Sequence, residues 1–150
     1  MILPGGQLCI LKKGGLEEEM MAGNTARFIT PAQLVKELPH HDTARASKEL
    51  GPSYNYMSSS LIPEADVHIS ARYIKQVPVD FKSFVEPHKH QANQVYIIID
   101  ALTVEVILNG ERHEVSGPAG IFIPAGMTHT IRPLKGSGYI VVVTEVGKYE

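Results

Sequence analysis

His88 and His90 stand one residue apart in the stretch Glu86-Pro87-His88-Lys89-His90-Gln91-Ala92-Asn93-Gln94-Val95-Tyr96. In an extended segment the side chains at i and i+2 share a face, so both imidazoles point the same way. Two imidazoles need that arrangement to grip one cation. Gln94 follows with an amide of the same parity, provided no turn breaks the register. A third histidine, His129, ends the stretch Pro124-Ala125-Gly126-Met127-Thr128-His129 and can join the others only if the chain folds back. Three imidazoles and one amide, brought together by β-strands, would make a metal site at the bottom of a small pocket.

The elements that must hold these residues read as strand after strand. From Asp66 to Val77 the pattern has period two, with Val67, Ile69, Ala71 and Tyr73 on one face and His68, Ser70 and Arg72 on the other. That alternation predicts a strand with the apolar face buried. Phe81–Val85 leads into the histidine segment, Gln94–Ile99 is a β-branched run, and Thr103–Leu108 follows. Asn109-Gly110 then predicts a two-residue hairpin turn, because both positions tolerate positive φ. Glu111–Val115, Ile121–Ile123, Thr128–Arg132 and Tyr139–Val146 complete the set, with a turn at Lys135-Gly136-Ser137-Gly138. Many short, closely spaced strands predict an antiparallel sandwich or barrel rather than a βαβ fold. Ile97, Ile99, Val104, Val106, Ile121, Ile123 and Val141 to Val143 are expected to fill it. Tyr96 and Phe122 are expected in the core or at the pocket wall.

Residues 1–65 read differently. Pro4-Gly5-Gly6, Gly14-Gly15 and Gly23-Asn24 allow only short pieces, such as a strand over 7–11. Thr30-Pro31-Ala32-Gln33 has the capping residue, the N1 proline and the capping-box spacing of a helix start, and Leu34, Val35 and Leu38 give it an apolar side until Pro39. His40-His41-Asp42 reads as a polar loop with favourable charge at that helix end, since adjacent strand histidines point opposite ways. Residues 43–65 read as loop, in which Tyr54, Asn55 and Tyr56 could edge a pocket. The expected organisation is an N-terminal arm with a helix over 1–65 and a barrel over 66–150.

The 150 residues, 43% hydrophobic and 20% charged, suffice for one globular domain with its own core. A net charge of −2 offers no basic footprint, so nucleic acid is not an expected partner. Cys9 is the only cysteine, which excludes an intrachain disulfide and a cysteine-built zinc site. No apolar run reaches the roughly 20 residues of a membrane-spanning helix, and no export signal is evident, so a cytoplasmic location is expected.

The two histidine segments resemble the two motifs of the cupin superfamily. The first motif there is His-x-His, three or four residues, Glu, and a later Gly; here it is His88-Lys89-His90, three residues, and Gln94. The second is Gly, five residues, Pro-x-Gly, two residues, His; here it is Pro124-Ala125-Gly126, two residues, and His129, with Gly117 one residue off the spacing. The resemblance covers roughly residues 66–146. It implies an all-β double-stranded β-helix, a jelly roll, whose metal ligands would be His88, His90, His129 and the residue at 94. Glutamine stands where the family has its carboxylate. It could ligate through its carbonyl oxygen, or serve as a hydrogen-bonding group of the pocket. Because carboxylate favours the harder Mn while imidazole suits Zn, Cu, Fe and Ni, the loss of the acid tilts the expected metal toward Zn, Ni, Fe or Cu.

Two function classes follow. One is a metal-dependent enzyme on a small polar organic molecule; the resemblance implies dioxygenase, isomerase, decarboxylase or lyase chemistry, with Arg72, Glu105 and Tyr96 as candidate substrate contacts. The other is a non-catalytic sensor or small-molecule carrier. No helix-turn-helix accompanies the barrel, so a transcription regulator is not expected. A homodimer is, since small cupin barrels commonly pair.

Overall fold

The computed structural model describes residues 25–145; the strand expected over 7–11 lies outside them. The chain divides after Thr30. Of the first part, Thr25–Phe28 forms one 3-10 turn, with the Arg27 guanidinium 4.3 Å over the Phe28 ring.

The second part is built from nine strands and one helix. In chain order these are β1 (Gln33–Leu34), α1 (Thr43–Leu50), β2 (Ser53–Met57), β3 (Val67–Ile74), β4 (Gln94–Ile99), β5 (Thr103–Leu108), β6 (Glu111–Ser116), β7 (Ala119–Ile123), β8 (His129–Lys135) and β9 (Gly138–Glu145). They form a six-stranded sheet ordered β1-β2-β3-β9-β4-β7 and a three-stranded sheet ordered β6-β5-β8. Every pairing in both sheets is antiparallel. The antiparallel all-β architecture expected from the strand pattern is what forms, and it is the jelly roll that the resemblance implied. Asn109 and Gly110 both have positive φ, 48° and 83°, as the β5–β6 hairpin turn requires.

The core lies between the two sheets. Ile74, Tyr96, Ile98, Ile121, Ile123 and Ile140 enter it from the larger sheet, and Val104, Val106 and Ile131 from the smaller. Burying each such side chain contributes about 1.5–3 kcal/mol. Ile97 and Ile99, expected inside, face outward and are 37% and 39% exposed. Apolar residues occupy both faces of β4, so its sequence carries no period that could assign them.

Two corrections concern the region before residue 66. The expected helix over 31–38 is absent. Gln33 and Leu34 pair instead with Asn55 and Tyr54 of β2, a long-range contact that overrides the local capping signal. The helix comes later, in the stretch read as loop. Asp42 caps α1 by accepting from the Arg45 N–H at 3.1 Å, and Gly51 ends it at φ 101°. With only Ala46, Leu50 and Thr43 buried, α1 shows no long apolar stripe for a sequence pattern to detect.

The third correction is to β3. His68, Ser70 and Arg72 are its buried side, whereas Tyr73 on the apolar face is 47% exposed. Alternation located the strand correctly but inverted its faces, because the inner side of β3 carries the polar groups of His68, Ser70 and Arg72 into the interior.

Candidate metal centre

The two histidine segments are stitched together by backbone hydrogen bonds. His88 and His129 form an isolated antiparallel bridge: the His129 N–H donates to the His88 carbonyl at 2.8 Å, and the reciprocal bond is 3.2 Å. The Gly126 N–H donates to the His90 carbonyl at 2.8 Å. The Asn93 side-chain oxygen accepts from the Ala125 N–H at 3.0 Å. Gly126 has φ 83°, so the turn before His129 needs the freedom of glycine. The fold-back that the sequence could only require is therefore built by these bonds.

The result is a compact triad. His88, His90 and His129 are all buried, and their ligand nitrogens lie within 4.8 Å of one another. The His88 ring centroid is 4.7 Å from that of His90 and 4.5 Å from that of His129. The Nδ1–H of His88 donates to the Glu86 carbonyl at 2.7 Å, and that of His129 to the Met127 carbonyl at 3.0 Å. Each neutral ring then presents its lone pair at Nε2. The Nε2 of His88 is 3.1 Å from the Nε2 of His90, and the buried Nε2 of His129 has no hydrogen-bond partner. Metal-bound histidines almost always have the other ring nitrogen tied down in this way. A divalent cation would satisfy the lone pairs that the protein leaves over, so the donor set fits a metal.

Gln94 reaches the interior from the opposite sheet. The segment 91–93 turns between it and His90, so its parity with the histidines is broken, yet it is 1% exposed and inward-facing. Neither its amide oxygen nor its nitrogen has a hydrogen-bond partner. Gln94 pairs across the sheet with Thr144, whose buried hydroxyl is also unpartnered. Thr144 was hidden in an otherwise aliphatic strand. Tyr96, two residues beyond Gln94, brings its ring within 6.1 Å of His129. Burial pushes the Tyr96 phenol up, against a smaller pull from the nearby Gln94 amide; the two approach without meeting hydrogen-bond geometry.

His40 and His41 are the residues that sequence reasoning set aside. The His40 ring stacks on His88 at 5.2 Å between centroids, and His41 meets it edge-on at 5.3 Å. Their loop docks beside the first histidine segment through Asp42 N–H to Phe84 carbonyl and Glu86 N–H to His40 carbonyl, each 2.8 Å. His40 adopts φ 63° there, a conformation uncommon outside glycine. The pairing is non-local, so no spacing in the sequence reveals it.

A cavity of about 60 Å³ is lined by His41, Ser70, Arg72, Phe84 and Tyr96 among others; no histidine of the triad lines it, and it is connected to them through the rings of His41 and Tyr96, which approach His88 and His129. It has room for a few waters or a small organic molecule. Arg72 and Tyr96 thus stand where a substrate contact could be made. Glu105 does not: it is engaged by Arg132 at 3.0 Å and by Arg112. Phe122 is 59% exposed and lies outside the core.

Burial favours the neutral form of His88, His129 and His41. It lowers His88 to about 4, opposed by the Glu86 hydrogen bond and reinforced by His129, His41 and His90. His129 and His41 are lowered for the same first cause. In the unfolded chain these groups titrate near 6.5. Between pH 6.5 and about 4 the unfolded chain therefore binds more protons, and stability is lost as the pH drops across that window. Chelator-treated protein should melt progressively lower from pH 6.5 to 4 and show no such trend above 7. A melting temperature that holds constant from pH 7 to 4 would contradict it.

No family model matches the sequence, and no curated protein is similar to it. Among solved structures, the chain superposes on KdgF from Halomonas sp. with a TM-score of 0.52 at 14% identity, covering 77% of this chain and 87% of that one. It superposes on Bacillus subtilis oxalate decarboxylase, in a structure concerned with its Mn(II) centres, with a TM-score of 0.54 at 14% identity. That match covers 79% of this chain but 28% of the other. The chain has the cupin fold. At such identity the likeness is one of fold. Within the cupin barrel, the two segments that resemble the cupin motifs are the ones the backbone brings together, and Gln94 occupies the motif's acidic position.

Proposed function

We propose that this cupin-fold protein binds a divalent transition metal through His88, His90 and His129, with Gln94 as a fourth ligand or a hydrogen-bonding group beside it, and uses the site on a small polar organic molecule. What carries this reading is the convergence of three buried imidazoles whose ligand nitrogens lie within 4.8 Å of one another, with the His129 Nε2 left without a hydrogen-bond partner among the described residues. Three imidazoles and a neutral amide make a donor set suited to Zn, Ni, Fe or Cu rather than Mn. A metal held there would supply Lewis-acid polarisation of a bound oxygen. The chain's own contribution is to hold the ligand rings through their Nδ1–H groups and to shield the site from water. His41, whose Nδ1–H donates to the Pro39 carbonyl at 2.6 Å, lines the cavity with its ring edge-on to His88.

Among the described residues the cavity lining contains no carboxylate, which favours a second reading in which the barrel binds its ligand without converting it. Metal content separates the metal reading from its failure. Protein purified without chelator should carry about one transition-metal ion per chain by mass spectrometry. Protein that contains none, and takes up none of Zn, Ni, Fe or Cu on dialysis, would refute it.

We also propose a homodimer. The outer face of the larger sheet exposes Tyr73, Tyr139, Ile97, Ile99 and Phe122 on neighbouring strands, a run of apolar surface that a second copy would cover. Light scattering that shows only monomer at high protein concentration would exclude it.

A further inference from the structure

We infer that the cavity beside the histidine triad is a carboxylate-binding pocket with the Arg72 guanidinium as its counter-charge. Arg72 is 7% exposed and lines the cavity together with Ser70 and His41. One guanidinium N–H group donates to the Gly51 carbonyl, and the plane lies 5.3 Å from the Phe84 ring. No carboxylate among the described residues pairs with it, in contrast to Arg45, Arg112 and Arg132, each of which has an acidic partner. Although burial lowers it to about 10, Arg72 remains protonated at neutral pH. A buried charge without a partner is expensive, so natural proteins pair it or use it. The Ser70 hydroxyl, which makes no hydrogen bond among the described residues, offers a further donor at the same wall.

The charge balance points the same way. Gln94 leaves the triad without the negative charge that a glutamate would bring, and no acid lines the cavity. With a divalent cation on neutral imidazoles and Arg72 nearby, the ligand itself must supply the anion. A planar carboxylate matches the guanidinium fork, and the cavity volume limits the rest of the molecule to a few heavy atoms. The inference deepens the metal reading and rests on it for the charge of the cation alone.

The test uses pyruvate and its neutral isostere pyruvamide, titrated by calorimetry into chelator-treated and zinc-loaded full-length protein. Wild type should bind pyruvate at least about tenfold more tightly than pyruvamide in both states. Arg72→Gln should weaken pyruvate about 10- to 100-fold, the range for losing a charge-assisted hydrogen bond, while leaving pyruvamide unchanged. Arg72→Lys should fall between. Equal affinity for acid and amide, no pyruvate binding in either state, or an Arg72→Gln protein that binds pyruvate like wild type would overturn the proposal. Should Arg72→Gln fail to fold, the acid–amide comparison on wild type decides. A protein that takes no zinc yet binds pyruvate through Arg72 keeps the pocket and loses the metal reading. One that takes zinc but does not distinguish the two probes does the reverse.

Discussion

With His129 replaced by alanine, the protein is expected to hold zinc at least about 100-fold more weakly than wild type in competition with a chromophoric chelator, because losing even a supporting group beside a metal costs 10–100-fold. The side chain that disappears presents a buried Nε2 with no partner among the described residues, and its Nδ1–H is already committed to Met127. Two imidazoles from one segment would remain, without the third that comes from the facing one. The backbone bridge between His88 and His129 uses main-chain atoms only and survives the substitution. Loss of affinity should therefore come without loss of fold, checked by an unchanged amide spectrum. Gln94→Glu is the opposite arm of the same titration. If Gln94 faces the ion, a carboxylate adds one negative charge and zinc should bind more tightly. An alanine at 129 that left zinc affinity unaltered would remove His129 from the site, and an indifferent Gln94→Glu would remove Gln94.

Gly138→Ala is expected to be among the most damaging single methyl additions at the described glycines. Gly138 has φ 155°, and a Cβ there would lie 2.0 Å from the Ile99 carbonyl oxygen. Gly136, with φ 85°, is as tight against the Ala101 carbonyl oxygen at 2.0 Å. Both glycines allow the β8–β9 turn to pass over the Asp100–Ala101 turn that joins β4 to β5. The obstacle is backbone on both sides, so no rotamer change relieves it. A cost above about 4 kcal/mol is expected, a large part of the 5–15 kcal/mol that typically holds a domain together. Gly110→Ala is the control. Its φ is similarly positive at 83°, but nothing lies within 4 Å of its Cβ position, so only the backbone penalty of about 1–2 kcal/mol applies. Urea unfolding that finds Gly138→Ala no worse than Gly110→Ala would show that the close approach is not what constrains the turn.

Legibility in the sequence followed the range of the interactions. Strands β3 to β9 could be placed from the chain because period-two alternation, β-branched runs and the Asn109-Gly110 turn are local signals. The same alternation assigned the wrong face to β3, since polarity reports burial only when every inward side chain is apolar, and Ser70 and Arg72 are polar residues that line the cavity. Capping residues at Thr30 and Pro31 predicted a helix that pairing with β2 displaced. At Asp42 the cap was real, but an eight-residue helix with few apolar positions gave it no stripe to announce.

For the candidate site the division is sharper. Residue types and spacing alone determined which three histidines could ligate, that a turn with glycine at 126 must precede the third, and that a neutral amide stands at 94. They determined this because ligand chemistry and turn conformation reside in single residues. Only the tertiary structure decided that His88 and His129 face each other across a bridge, that Gln94 arrives from the opposite sheet, and that His40 and His41 pack on His88. It alone decided that Arg72 is buried with no acidic partner among the described residues. Those facts depend on which strands pair and on what surrounds each group, and a charge has no partner, or lacks one, until the chain has closed around it.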